Sequence, residues 1–130
     1  MSDLLPPELA SGSVFEDGEY AWRVADFPSV LAKAATLGYA CLGGQFQFRF
    51  GDGAIHEFYW LAADSMDRQQ GESWEQYARR SCSEVGRKYS ALAGDSDFSA
   101  AARKFESLIG NQQLSDILFF NPFLAKEQDL

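Results

Sequence analysis

Gln45-Phe46-Gln47-Phe48-Arg49-Phe50, then Gly51-Asp52-Gly53, then Ala54-Ile55-His56-Glu57-Phe58-Tyr59-Trp60: this stretch decides the fold. Polar and apolar residues alternate without error from 45 to 50, which is the period of a strand with one buried face. The glycine-rich triplet turns the chain, and a loop with Gly53 in the left-handed conformation is an ordinary hairpin connection. That register pairs Phe50 with Ala54, Phe48 with His56 and Phe46 with Phe58. Phe46, Phe48, Phe50, Ala54, His56, Phe58 and Trp60 then share one face, and Gln45, Gln47, Arg49, Ile55, Glu57 and Tyr59 share the other. A tighter Asp52-Gly53 turn would instead bring Ile55 and Tyr59 to the phenylalanine face. A hairpin over 44–50 and 54–61 is therefore expected at the centre of a small antiparallel sheet, its aromatic face packed as core.

The flanking segments supply helices. Pro28, in a first turn, and the stripe Val30, Leu31, Ala34 and Leu37 predict a helix over 28–37. Ser73 with Gln76 has the spacing of a capping box. It opens a helix over 73–93 with Trp74, Tyr77, Ala78, Cys82, Val85, Tyr89 and Leu92 inward and Gly94 as its stop. Asp97 caps a third helix over 97–109. "LSDILFF" is read as a short helix over 113–120, ended by Pro122, and Phe123 as a packing residue. Upstream, Asp17-Gly18 marks a turn before a strand near 19–24, and residues 1–12 read as a loose arm. Strand, helix, hairpin and then helices give an α+β class in one domain, 1–130, with the helices mainly on one face.

The chain has 130 residues and a net charge of −8. Residues 1–72 hold eleven acids against four bases, so the acidity is concentrated at the front. Such a surface excludes nucleic acid as a partner, because binding it requires a positive stripe. It is suited to attract a basic protein at long range. No apolar run is long enough to span a bilayer and no signal-peptide pattern opens the chain, so a cytoplasmic protein is expected, with Cys41 and Cys82 as free thiols.

No motif carries catalysis or a cofactor. His56 is the only histidine, and no nucleophile signature accompanies it. Two cysteines and one histidine cannot fill a zinc site. Asp64, Asp67 and Glu72 crowd one loop, but not at EF-hand spacing. Gly43-Gly44 leads into a strand and lacks the P-loop lysine, so it marks a bulge or a close backbone approach. No metal, no cofactor and no enzymatic activity are expected. The candidate partner-binding residues are those left to the polar face and its loops: Gln47, Arg49, Asp52, Glu57, Tyr59, Asp64, Asp67 and Glu72. Tyrosine and arginine among acids make a usable protein-binding patch. Two alternatives stay open: a ligand-binding or regulatory domain using the aromatic hairpin face, and a small enzyme using His56 with the loop carboxylates.

"EYAW" at 19–22, "LGGQFQFRFGDG" at 42–53 and "ADSMDRQQGESWEQY" at 63–77 resemble the small acidic immunity proteins of bacterial polymorphic-toxin and contact-dependent inhibition systems. In those, a hairpin with a glycine turn precedes a polar loop and a tryptophan-led helix. The resemblance spans residues 19–92 and carries over no individual residue. It implies a non-catalytic protein that binds and neutralises a cognate toxin domain, often a nuclease. An acidic inhibitor suits a basic toxin, because complementary fields speed association.

Overall fold

The computed structural model describes residues 4–16 and 18–130. Five strands form one antiparallel sheet: β1 (Val14–Glu16), β2 (Glu19–Arg23), β3 (Ala40–Arg49), β4 (Ile55–Ala62) and β5 (Leu118–Ala125), in the order β1-β2-β5-β3-β4. Helix α1 (Pro7–Ala10) precedes β1, and α2 (Phe27–Thr36) lies between β2 and β3. The long α3 (Trp74–Asp95) follows β4, and then come α4 (Phe98–Arg103), α5 (Glu106–Ile109) and α6 (Leu114–Ile117). The class is α+β, with the long helix and the short ones packed against the sheet.

The hairpin takes the longer of the two registers. Phe50 N–H donates to Ala54 O, and Phe48 and Phe46 stand opposite His56 and Phe58. Gly53 has φ +93°, a conformation that suits glycine. Phe46, Phe48 and Phe50 are buried in the main core with Phe27, Tyr89, Phe98 and Phe120. Gly43-Gly44 is both a bulge and a close approach. The ladder with β5 shifts between Cys41 and Gly43, and a Cβ on Gly44 would lie 2.5 Å from the Phe120 ring and 2.7 Å from Asn121 O. Ser73 caps α3 in a full capping box: its side chain accepts from Gln76 N–H while Gln76 accepts from Ser73 N–H.

Several expectations are corrected. The hairpin is not central but occupies one side of the sheet, and the central strand is β5. The segment expected as a helix over 113–120 is helical only at Leu114–Ile117, and Leu118–Ala125 is strand. Pro122 does not end it, because the strand needs no N–H there. Val24 N–H donates to Leu118 O, so residues 118, 120 and 122 turn their main-chain groups toward β2. Pro122 would face Tyr20, whose carbonyl instead accepts from the side-chain amide of Asn121 at 2.6 Å.

The helix expected over 97–109 keeps its Asp97 cap, at 2.9 Å to Ala100 N, but breaks at Phe105 into α4 and α5. Phe105 leaves helical geometry and sets its ring against Phe50 and His56. Leu108, on the short α5 beyond the break, is exposed. Helix α3 runs one residue past Gly94 to a cap at Ser96. Within the expected loose arm, Leu9 of α1 is buried in the main core cluster, which also contains Trp22 and Val30. The Asp17-Gly18 turn falls partly on Asp17, outside the described residues; β1 and β2 on either side pair as a hairpin. Phe123, expected to pack, is exposed.

Candidate functional site

The outer edge of β4 is the most accessible aromatic surface of the sheet. No main-chain hydrogen bond from another element reaches that edge among the described residues. Phe46 stands opposite Phe58, yet its neighbour Gln45 stands opposite Ala62. Three residues, Tyr59, Trp60 and Leu61, therefore bulge out of the ladder. Bulges on edge strands re-aim side chains. Tyr59 keeps beside Glu57 and Trp60 beside Phe58, yet both project into solvent, 70% and 69% exposed. Trp60 stays in edge contact with Phe58, ring centroids 5.6 Å apart, so a buried ring supports an exposed one. Ile55 is exposed on the same strand. The Glu57 carboxylate beside Tyr59 raises the phenol above its ordinary pKa by hydrogen bonding and by charge.

The structure divides the eight sequence-predicted residues. Tyr59, Asp52, Asp64 and Asp67 are exposed, and Glu57 is half-buried. Asp52 Oδ1 accepts from Ala54 N–H at 2.9 Å, holding the hairpin turn beside Ile55. Gln47 and Arg49 do lie on the face opposite the core, but they do not reach solvent: they are 1% and 9% exposed. Arg49 Nε donates to Gln47 Oε1 at 2.5 Å, and Gln47 Nε2 donates to Glu57 Oε1 at 3.3 Å. Arg49 Nη1 lies 3.5 Å from Glu16 of β1. In a flat sheet β1 and β3 would be about 14 Å apart, so both side chains lie along the face rather than stand off it. The guanidinium crosses the ring of Phe119 at 5.9 Å. These long side chains cover their own face, and Gln47 and Arg49, expected at a solvent-facing patch, are instead buried within it.

Glu72 is also spent internally. Arg80 on α3 donates to Glu72 through Nε at 2.7 Å and Nη2 at 2.9 Å, and to Glu84 through Nη1 at 3.0 Å. The same guanidinium donates to Asp67 O, and Met66 N–H donates to Glu84. Ser65 Oγ donates to Cys41 O at 2.7 Å, and Lys88 donates to Asp64 O. The 64–72 loop is thereby strapped to α3 and β3. Its fixed path sets the Asp64 carboxylate against the backbone of Gly43, and both Asp64 and Asp67 remain exposed. The Arg80 hydrogen bond holds the Glu72 carboxyl down at about 2, and the Met66 amide, followed by Arg80, lowers that of Glu84.

His56 packs against the rings of Phe58 and Phe105, at 4.9 and 4.8 Å. Among the described residues no acid or hydroxyl is hydrogen-bonded to it, so the structure does not assemble a triad around it. No group of three metal-ligating side chains is found among the described residues. Cys41 and Cys82 are free and buried, and burial pushes the Cys82 thiol up to about 11. No described helix is long and apolar enough to cross a membrane. Sequence reasoning missed Trp60 as a surface residue because strand periodicity assigns it inward. The signal available was the run Phe58-Tyr59-Trp60-Leu61, too apolar throughout for a clean two-residue period.

No protein-family model, curated protein or solved structure matches the chain.

Proposed function

We propose that this protein is a non-catalytic protein-binding module that docks its partner on the β4 edge, and that the partner is a cognate, basic bacterial toxin domain which it neutralises in the cytoplasm. The observation that carries the binding reading is the bulge: a tyrosine and a tryptophan, both about 70% exposed, raised from an edge strand beside the buried ring of Phe58. Tyrosine and tryptophan are the residue types most enriched among interface hot spots. Asp52 and Glu57 flank them on the same hairpin. Together with Asp64 and Asp67 on the strapped loop they give an acidic surround, which favours fast association with a basic surface. The toxin as partner rests on the resemblance of residues 19–92 to the immunity proteins. The two buried, free thiols suit a reducing compartment.

The test is co-expression with the product of the neighbouring gene, then binding kinetics against salt. The expected results are a stable complex, protection of the host cell, and association that slows as salt rises. Tyr59→Ala and Trp60→Ala should each weaken the complex by about 2 kcal/mol or more, while Asp52→Asn and Asp64→Asn should act mainly on the association rate. Full affinity in the Tyr59→Ala/Trp60→Ala double variant would remove the β4 edge as the docking site. Absence of both complex and protection would overturn the toxin reading, and turnover of a small substrate that His56→Ala abolishes would replace it with an enzyme.

A further inference from the structure

A recess lies two strands from the bulge, where β2 and β5 part. The two strands are paired only at Trp22–Phe120 and Arg23–Phe119. Beyond them β2 turns its pairing to β1, while β5 continues along β3 to Ala125. Between the diverging strands is a groove of about 500 Å3. Tyr20, Tyr39, Pro122, Phe123 and Leu124 give it apolar walls, with Glu19 and Asp129 among its lining residues. Phe123 is 59% exposed. In an antiparallel strand every second residue turns its N–H and C=O the same way. The Val24–Leu118 hydrogen bond fixes that phase, so Pro122 O and both main-chain groups of Leu124 point into the space that β2 has left. Asn121 has already closed the one carbonyl that Pro122 cannot serve. What remains is a short length of strand edge, flanked by rings and rimmed by carboxylates. Neither Glu19 nor Asp129 forms an ion pair among the described residues, and Asp129 Oδ2 accepts one hydrogen bond, from Lys126 N–H at 2.9 Å, which leaves its other oxygen for a cation. Lys126 Nζ lies 5.1 Å from the Tyr39 ring centroid, so a cation is already accommodated against this aromatic wall.

We propose that this groove takes an extended peptide segment carrying lysine or arginine, which adds to β5 as a short strand from Pro122 to Leu124 and sets its cation between Glu19 and Asp129. The main chain of β5 supplies the pairing, as in other strand-addition sites. The tyrosine and phenylalanine rings cover the aliphatic stem of the basic side chain. The carboxylates select against acidic sequences by leaving them unpaired. This site is independent of the toxin reading, which uses the β4 edge.

The experiment is a 1H–15N titration of the full chain with the blocked pentapeptide acetyl-Val-Lys-Val-Arg-Val-amide. Saturable shifts are expected at Glu19, Phe123 and Leu124, and not at Tyr59–Leu61. The same peptide with Glu in place of Lys and Arg, or with alternate backbone nitrogens methylated, should not saturate. Glu19→Gln/Asp129→Asn should weaken binding about tenfold, the scale of losing a hydrogen bond to a charged group. Phe123→Ser, at an exposed position, tests the aromatic wall without touching the core, and it too should weaken binding. No saturable shift with the basic peptide, equal binding of the acidic one, or shifts confined to the β4 bulge would each overturn the proposal.

Discussion

Phe48 is fully buried, and the rings of Phe50, Phe58 and Phe105 surround it at centroid distances of 5.9, 4.8 and 6.0 Å, each near perpendicular. Three rings drawn from the hairpin and the α4–α5 break close on one position, so removing the ring strips contacts from all three at once. Phe48→Ala should therefore cost about 3–5 kcal/mol, read as a lowered midpoint in urea; a loss below about 1 kcal/mol would contradict this packing. The inward set of the first hairpin strand was legible because alternation is a property of the strand itself. The fate of the outward set was not. Gln47 and Arg49 are polar, and polarity by itself implies exposure. Their burial comes from Glu16 and Phe119, about 30 and 70 positions away in sequence, and no local pattern encodes a side chain lying flat across three strands. Trp60 is the converse case. It keeps the side of Phe58 that the alternation assigns it but stays exposed, at a bulge that inserts three residues into the ladder.

Helix α3 was legible at its start because the cap is local chemistry. Ser73 and Gln76 satisfy each other's main-chain amides at 3.1 and 2.9 Å. Ser73→Ala should cost about 0.5–2 kcal/mol, measured by thermal or chemical unfolding, with no change in the core aromatic signals. The strap over this helix gives a pH dependence. Arg80 holds the Glu72 carboxyl at about 2, below its ordinary 4.5, and Glu84 is shifted in the same direction. A carboxyl lowered in the folded state stabilises it above the ordinary value, and that contribution is lost as pH falls from about 4.5 to about 2. Acid titration of the unfolding midpoint should fall through this window, and Glu72→Gln should flatten the fall; an unchanged profile would mean the clamp adds nothing to stability. Strand β5 was the element least legible. Leu114, Ile117 and Leu118 match a helical stripe, and a proline four residues on reads as a stop. Only the tertiary arrangement shows that Pro122 sits where β2 has already left, with Asn121 supplying the missing donor.

The strand order places the last segment of the sheet at its middle: β5 lies between β2 and β3, so the two hairpins made earlier in the sequence are joined only through it. Phe120 carries much of that junction. It is fully buried, and its ring meets Phe27, Phe46 and Tyr89 at 4.6, 5.0 and 5.0 Å, which ties α2, β3 and α3 to one side chain. Without residues 118–130 the remaining strands are two separate two-stranded ribbons, and such ribbons are at best marginally stable in water. The helices would keep their caps but lose the surface they pack on, and helix stability in proteins comes mostly from that packing. A chain ended at Ile117 should thus show helical far-ultraviolet circular dichroism, no fixed near-ultraviolet signal from its aromatic residues, and no cooperative unfolding transition. Adding a synthetic peptide of residues 114–130 should restore both the near-ultraviolet signal and a sigmoidal transition. If the shortened chain already unfolds cooperatively, β5 is an accessory strand and the core closes without it.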